Sequence, residues 1–245
     1  MQPTAEATRT VAVLAFHKIG EPPRGGWQTW NYIAEAVFCE QLAVLRDAGY
    51  AAVDVHAFRA GLRDPATLPD RCALLTFDDG YRTMLTVAEP LLARYGYPAV
   101  CFVPTDFVGG HNSWDHGNEP DEPICSWDEL AELQRRGVAI QSHGASHRQV
   151  STLDDAALQR EVCASRACLE ERLGTAVDLL AFPYGDDGGA ARCAAVGTVL
   201  QRAGYAAAFR YKGGLQRLPS AQPFALTRVA MGPDTDLRKH LGIAR

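Results

Sequence analysis

Arg94-Tyr-Gly-Tyr-Pro-Ala-Val-Cys-Phe-Val-Pro-Thr105 contains the architecture of the whole chain in one unit. An amphipathic stretch ends at Gly96, a residue type that supplies the left-handed conformation closing a helix. Five apolar residues follow, Ala99–Val103, too few for a helix and uninterrupted by polar ones, as in a strand buried on both faces. Pro104 and Thr105 end it. The same order recurs elsewhere. Gly49-Tyr50 precedes Ala52–Val55, Gly137 precedes Val138–Gln141, and Gly204-Tyr205 precedes Ala206–Phe209. Val11–Phe16, Ala73–Phe77, Leu179–Phe182 and Leu226–Val229 bring the total to about eight candidate strands interleaved with helices. Such alternation implies a parallel α/β sheet, either open and doubly wound or closed as a barrel. No GxGxxG opens the first unit, which counts against dinucleotide binding.

Helix starts are marked as well. Ser126-x-x-Glu129 is a capping box, and Thr152-x-x-Asp155 is a weaker version ahead of a helix running from Leu153 to Leu173 and stopping at Gly174. The Gly- and Pro-rich segment Gly109–Pro123 is the longest irregular stretch and reads as a loop over one end of the sheet. No linker, low-complexity tract or composition shift divides the 245 residues. A single domain over 11–245 behind a flexible polar tail, 1–10, is expected, and a chain of this length can enclose a full core.

Composition removes several functions. A net charge of −5 with both signs interspersed offers no basic stripe for nucleic acid. No 18-residue apolar span exists, so no membrane-spanning segment is expected. Val11–Phe16 is too quickly followed by His17-Lys18 to be the apolar core of a secretion leader. The seven cysteines are odd in number, lack any CxxC pair and sit largely in apolar runs, which suits a reducing compartment. A cytoplasmic location is the expectation; the oligomeric state is not legible.

The chemistry-bearing residues fall immediately after the strands. His17 follows the first, Asp78-Asp79-Gly80 follow Ala73–Phe77, Thr105 follows Ala99–Val103, and His143 with His147 follow Val138–Gln141. Pro183 and Tyr184 follow Leu179–Phe182, and Arg228 lies in the last strand. Alone, Asp-Asp-Gly is commonly a turn and His-x-x-x-His a pair of ordinary surface or core groups. Placed together at the C-terminal ends of one βα series, they mark a site. Two histidines and a carboxylate form a facial ligand set for a divalent ion, and Gly144 permits the sharp turn that would aim both histidines at one point. Adjacent aspartates can divide labour, one on the ion and one taking a proton from the attacking water.

Thr76-Phe-Asp-Asp-Gly80 and His143-Gly-Ala-Ser-His147 resemble the first two motifs of the polysaccharide deacetylases, the NodB-homology group (carbohydrate esterase family 4). Phe182-Pro-Tyr-Gly185 resembles the third. Val13-Leu-Ala-Phe-His17 is similar to the opening strand of the branch containing the poly-N-acetylglucosamine deacetylases, and Pro98–Thr105 fits the family's fourth-strand region. The resemblance implies a distorted (β/α) barrel of seven to eight parallel strands and metal-assisted removal of N-acetyl groups from an acetylated carbohydrate. It assigns Asp79, His143 and His147 to one divalent ion, zinc by default with cobalt or nickel able to use the same ligands, and Asp78 to the general base. A backbone N–H near Tyr184 would help hold the oxyanion, and Tyr184, Pro183, Thr105 and Arg228 would contact substrate.

Two departures stand out. The arginine that usually opens the third motif is replaced by Ala181, and Arg228 is the candidate to take its place. The Leu-x-x-His motif that supplies the acid has only Leu237-Arg-Lys-His240 as a match, in an expected terminal helix, so His17 is the favoured acid and His240 the alternative. Trp27 and Trp30 could stack on a sugar or anchor their loop. Trp114, with His111, Asp115 and His116, is expected in a solvated loop, although the group could line the site's mouth or bind a second ion. The other readings are an O-acetyl esterase or small-amide hydrolase on the same barrel, or a carbohydrate-binding pseudoenzyme.

Overall fold

The computed structural model describes residues 8–244; positions 1–7 of the expected tail lie outside them, and Arg9 and Thr10 already belong to the first strand. In chain order the elements are β1 (Arg9–Phe16), β2 (Lys18–Ile19), β3 (Tyr32–Ile33), α1 (Glu35–Asp47), β4 (Ala51–Ala52) and α2 (Val55–Arg63). Then come β5 (Cys72–Phe77), α3 (Glu89–Tyr95), β6 (Ala99–Val103), α4 (Trp127–Arg135), β7 (Val138–Ser142) and α5 (Asp155–Leu173). The chain finishes with β8 (Leu179–Ala181), α6 (Gly189–Ala203), β9 (Ala207–Phe209), β10 (Gln216–Leu218), β11 (Val229–Ala230) and α7 (Leu237–His240).

The main sheet runs β10-β1-β5-β6-β7-β8-β9, with every pairing from β1 to β9 parallel. Its two ends meet over a single stretch. Leu226 bridges Phe209 of β9 in parallel, and three residues later Val229 pairs with Leu14 of β1. This joins the ends of the curled sheet into a distorted barrel, the architecture expected from the strand–helix alternation. β10 was not anticipated; it adds antiparallel to the outer end of β1, Arg9 opposite Leu218.

Side-chain alternation along the strands divides the core in two. Val11, Val13, Leu74, Val100, Phe102, Leu179, Ala207 and Phe209 fill the barrel, where Phe58 of α2 packs on Phe209. Leu14, Phe16, Leu75, Phe77, Cys101 and Ile140 face outward under the helices. Both faces are therefore buried, which is why these strands read as unbroken apolar runs.

Several boundaries differ from expectation; the last strand, expected over Leu226–Val229, is Val229–Ala230, with Leu226 as an isolated bridge and Arg228 just ahead of it. The strand expected over Ala52–Val55 stops at Ala52, because Asp54 caps α2 by accepting from the Ala57 N–H. The helix expected from Leu153 is capped by Asp154, which accepts from the Ala157 N–H, and not by Thr152. An aspartate two residues further on presents the stronger acceptor in both geometry and charge. The Ser126–Glu129 capping box forms in full.

Above the C-terminal rim, Lys18 fastens the irregular 109–123 segment to the loop after β1. Its ammonium is buried between the Tyr32 and Tyr81 rings, 4.6 and 4.7 Å from their centroids, and contacts Glu119 Oε2 at 2.7 Å. Thr29 and Asn31 donate to the same carboxylate. No helix of the described residues is long and apolar enough to cross a membrane.

Phe16 stacks on Phe77 at 5.1 Å and meets Phe38 edge-on at 5.2 Å. Phe16→Ala is expected to cost about 3–5 kcal/mol by transfer and cavity terms together, measured as a shift in the urea midpoint.

Candidate active site

Every strand end named from the sequence reaches one rim, and the chain bends sharply there. Only three non-glycine residues among those described have positive φ: Asp79 (73°), His147 (54°) and Tyr184 (58°). All three belong to the site. After β5, Asp78 continues the ladder with its N–H on the Phe16 carbonyl. The left-handed turn at Asp79 and Gly80 then throws the two neighbouring carboxylates into different environments.

Asp78 faces a guanidinium. Arg228 Nη1 and Nη2 donate to its two oxygens at 2.7 Å each, and Nη1 also reaches Thr76 Oγ1 at 3.1 Å. Nε donates to the Arg210 carbonyl at 2.8 Å. The arginine is 0% exposed, so it lies behind Asp78 and presents no surface to a substrate. Burial would raise the Asp78 carboxyl, but Arg228 foremost and then His143 overcome that and hold it below its usual range. Arg228 thus fills the place left by Ala181, and substrate contact is the part of its expected role that the geometry does not support.

Asp79 faces imidazoles. Its Oδ1 lies 3.2 Å from His143 Nε2 and 3.1 Å from His147 Nε2, and the donor atoms of all three residues fall within 4.8 Å of one another. His143 Nδ1 is 2.8 Å from the Ala181 carbonyl and donates to it, so in the neutral ring Nε2 turns its lone pair towards Asp79. Two acceptors at that separation repel unless a cation or a proton lies between them. The buried Nδ1 of His147 has no hydrogen-bond partner. This donor set fits a divalent ion. Against the opposing effect of burial, the two imidazoles depress Asp79 well below the usual carboxylate range, while Asp79 and Asp78 raise His143.

The turn carrying His147 is pinned from outside the motif. Glu161 on α5 accepts the Ala145 and Ser146 N–H groups at 2.8 Å each and also the Ser146 hydroxyl. The His147 ring is gripped on two sides, stacked at 4.3 Å on Trp114 and edge-on to Tyr184 at 4.8 Å. Trp114 is therefore not in a solvated loop; it packs on His147 and Phe107, whereas His111 and His116 are exposed. Tyr184, 51% exposed, shares a cleft of about 450 Å³ with Trp114, Asp115, Ser146 and His147. Pro183 and Thr105 are buried behind this rim.

His17 sits across the mouth against Tyr211, ring centroids 5.1 Å apart, with Nδ1 3.5 Å from the tyrosine hydroxyl. Burial lowers its pKa, against the raising pull of Asp79 and Asp78. His240 is exposed on α7, with no hydrogen bond or ion pair to either aspartate. Glu161, Tyr211 and Trp114's stacking role were not read from the sequence, since none belongs to a motif and each acts across a long separation.

The polysaccharide deacetylase family profile matches residues 66–208. The chain belongs to the polysaccharide deacetylase family. It is 31% identical over 121 residues to the poly-beta-1,6-N-acetyl-D-glucosamine N-deacetylase of Escherichia coli (strain K12), covering 47% of this chain and 18% of that protein. The chain spans less than half the length of the curated relatives it matches, 47% of one and 18% of another. The fold is similar to that of the Streptococcus pyogenes deacetylase PplD, solved in complex with acetate, with TM-score 0.80 and 18% identity over 98% of this chain and 100% of that one. It is equally similar to that of IcaB from Ammonifex degensii, with TM-score 0.79 and 22% identity over 95% and 96% of the two chains.

In this polysaccharide deacetylase family member the Arg228–Asp78 pair yields a test. Arg228→Met leaves Asp78 buried without its counter-charge, and a loss of about 3–5 kcal/mol is expected at neutral pH. The paired carboxyl titrates below its usual range, so the stability it contributes is present at neutral pH and lost as pH falls through that lowered value. Without the guanidinium, burial raises Asp78, which then protonates earlier on acidification. The deficit relative to wild type should therefore shrink between pH 7 and about pH 4 in urea unfolding.

Proposed function

We propose that this protein hydrolyses the N-acetyl group of an acetylated amino sugar, with Asp79, His143 and His147 holding a divalent ion. The observation that carries the reading is the division of the two aspartates that follow β5: one locked onto a guanidinium, the other facing two imidazoles, of which His147 lines the cleft beside Tyr184. Zinc is the proposed ion, with cobalt or nickel suited to the same nitrogen and oxygen donors. Bound there, it would supply Lewis acidity to the amide carbonyl.

The remaining steps belong to the chain's own residues. Asp78, kept ionised by Arg228, takes a proton from the attacking water. The bidentate guanidinium fixes its orientation, the task assigned in the family to the arginine missing at Ala181. That contact also weakens the pseudoenzyme reading, which rested on the missing arginine and on the uncertain acid. The negative charge that develops on the carbonyl oxygen favours the imidazolium form of His17, which takes up a proton from solvent and delivers it to the leaving nitrogen, while Asp78 returns the proton it took from water to solvent after the bond breaks. Tyr184, the most exposed large aromatic of the site, contacts the sugar. The seven cysteines, all free thiols, support a cytoplasmic location.

Acetate release from a panel of N-acetylated and O-acetylated sugars tests the reading. Wild-type enzyme supplied with zinc should release acetate from N-acetyl sugars. Asp78→Asn should keep its metal and lose about 100-fold or more in turnover, whereas Asp79→Ala should lose the metal itself. Release from O-acetyl sugars alone would replace the amidase reading with an esterase one.

The acid assignment has its own readout. His17→Ala should reduce turnover about 100-fold or more with metal content unchanged. A matching loss of metal would make His17 a support of the ion and not the acid.

A further inference from the structure

The two histidines that face Asp79 are oriented by different means. The second ring nitrogen of a metal-holding histidine ordinarily donates to an oxygen, and that bond fixes the plane of the ring. His143 follows the rule, with Nδ1 on the Ala181 carbonyl at 2.8 Å. His147 does not, because its buried Nδ1 has no hydrogen-bond partner among the described residues. Ring contacts do the work instead. Trp114 stacks on the imidazole at 4.3 Å with the planes 22° apart, and Tyr184 meets it edge-on at 4.8 Å. Tyr184 is 51% exposed, whereas Trp114 is half-buried and backed edge-on by Phe107 at 4.6 Å. The indole is the firmer of the two restraints.

Trp114 sits in a single tight turn, Ser113–Asp115, of the 109–123 loop. Asn112, 0% exposed, closes that loop on itself: its Oδ1 accepts the Glu122 N–H at 2.7 Å and its Nδ2 donates to the Pro120 carbonyl at 3.0 Å. The Asp115 carbonyl accepts the N–H groups of Asn118 and Glu119 at 2.9 and 3.0 Å. Trp114 and Glu119 therefore belong to one closed unit. That unit is fastened from outside by its glutamates. Glu119 accepts from Lys18 Nζ and Thr29 Oγ1 at 2.7 Å each and from Asn31 Nδ2 at 2.9 Å, and Glu122 accepts the Tyr32 hydroxyl at 2.8 Å. Lys18 is 1% exposed, so the pair is enclosed and its loss would leave a buried charge unmatched.

We propose that the Lys18–Glu119 pair is a positioning device for His147. It holds the 109–123 loop in the placement that lays Trp114 on the imidazole, and thereby sets how tightly Asp79, His143 and His147 take their ion. The proposal rests on the metal-holding role proposed for those three residues. Neither Lys18 nor Glu119 hydrogen-bonds to any of them; both act through the indole. The stack supplies the orientation that a hydrogen bond supplies at His143.

The test measures zinc affinity by competition with a chelator, on variants shown to be folded by circular dichroism. Trp114→Ala should weaken zinc binding about tenfold, and Trp114→Phe should recover part of the loss. Lys18→Met combined with Glu119→Gln, which leaves no unpaired buried charge, should also weaken it about tenfold. Adding Trp114→Ala to that pair should cost no further affinity, because both changes remove the same restraint. Losses that multiply, or wild-type affinity in the Lys18→Met/Glu119→Gln protein, would overturn the proposal. Failure of the wild type to bind zinc, cobalt or nickel counts against the metal reading instead. NMR of the metal-free protein then decides the positioning role by itself. The His147 ring protons, shifted upfield by the stacked indole, should move towards free-histidine positions in Trp114→Ala and in Lys18→Met/Glu119→Gln alike. His147 resonances left unchanged by the second variant sink it.

Discussion

The buried pair between Arg228 and Asp78 is the contact on which both the barrel and its chemistry depend. A guanidinium inside an apolar barrel is intolerable unless nearly every donor is met. Here Nη1 and Nη2 take the carboxylate, Nη1 adds Thr76, and Nε takes the Arg210 carbonyl. The rings of Phe102 and Tyr211 lie 5.7 and 5.8 Å from its Cζ. Arg228 lies between Leu226, which bridges β9, and Val229, which pairs with β1. The stretch that joins the ends of the sheet therefore carries the charge that β5 supplies a partner for. Neither half of the pair is stable where it is without the other, so ring closure and the ionised state of Asp78 are coupled.

Strain is confined to the same rim. Left-handed backbone at Asp79, His147 and Tyr184 is uncommon for side chains other than glycine and asparagine-like residues. Each case has restraints close by. Asp79 is held by two imidazoles, His147 by Trp114, Tyr184 and the Glu161-bound turn, and Tyr184 by its contact with His147. The strained residues thus restrain one another, and the surrounding packed strands keep the cluster from relaxing.

Much of this was legible in the sequence because it follows from local pattern. The strand cores, the capping box at Ser126 and the rim positions of Asp78, Asp79, His143 and His147 depend on residues within a few positions of one another. The starts of α2 and α5 were misread for one cause. Asp54 and Asp154 each cap a helix from the middle of a stretch whose hydrophobicity suggested continuity. What stayed hidden acts across distance. Glu161 is an ordinary helical glutamate until the fold sets it under the 145–146 turn, and Trp114 reads as part of a polar loop until Lys18 and Glu119 draw that loop over the site. Arg228 was named from its place in the last expected strand and from the arginine missing at Ala181; 150 residues separate it from its partner.

The electrostatics of the rim constrain how the proposed roles must be ordered in time. Asp78 is held below its usual range by its guanidinium, and His17 is lowered by burial, so both rest deprotonated at neutral pH. A base in that state is ready; an acid in that state is not. Hydrolysis needs one proton removed from water, for which Asp78 is ready, and one delivered to the leaving amine, which His17 must first take up from solvent. His17 must therefore gain its proton only after negative charge has developed on the substrate, when its surroundings favour the imidazolium. The residues that lower its pKa at rest, by enclosing it, are the same ones that would magnify the effect of that new charge, since a low-dielectric pocket strengthens every interaction inside it. Burial of His17 thus favours an acid whose proton is acquired within the catalytic cycle.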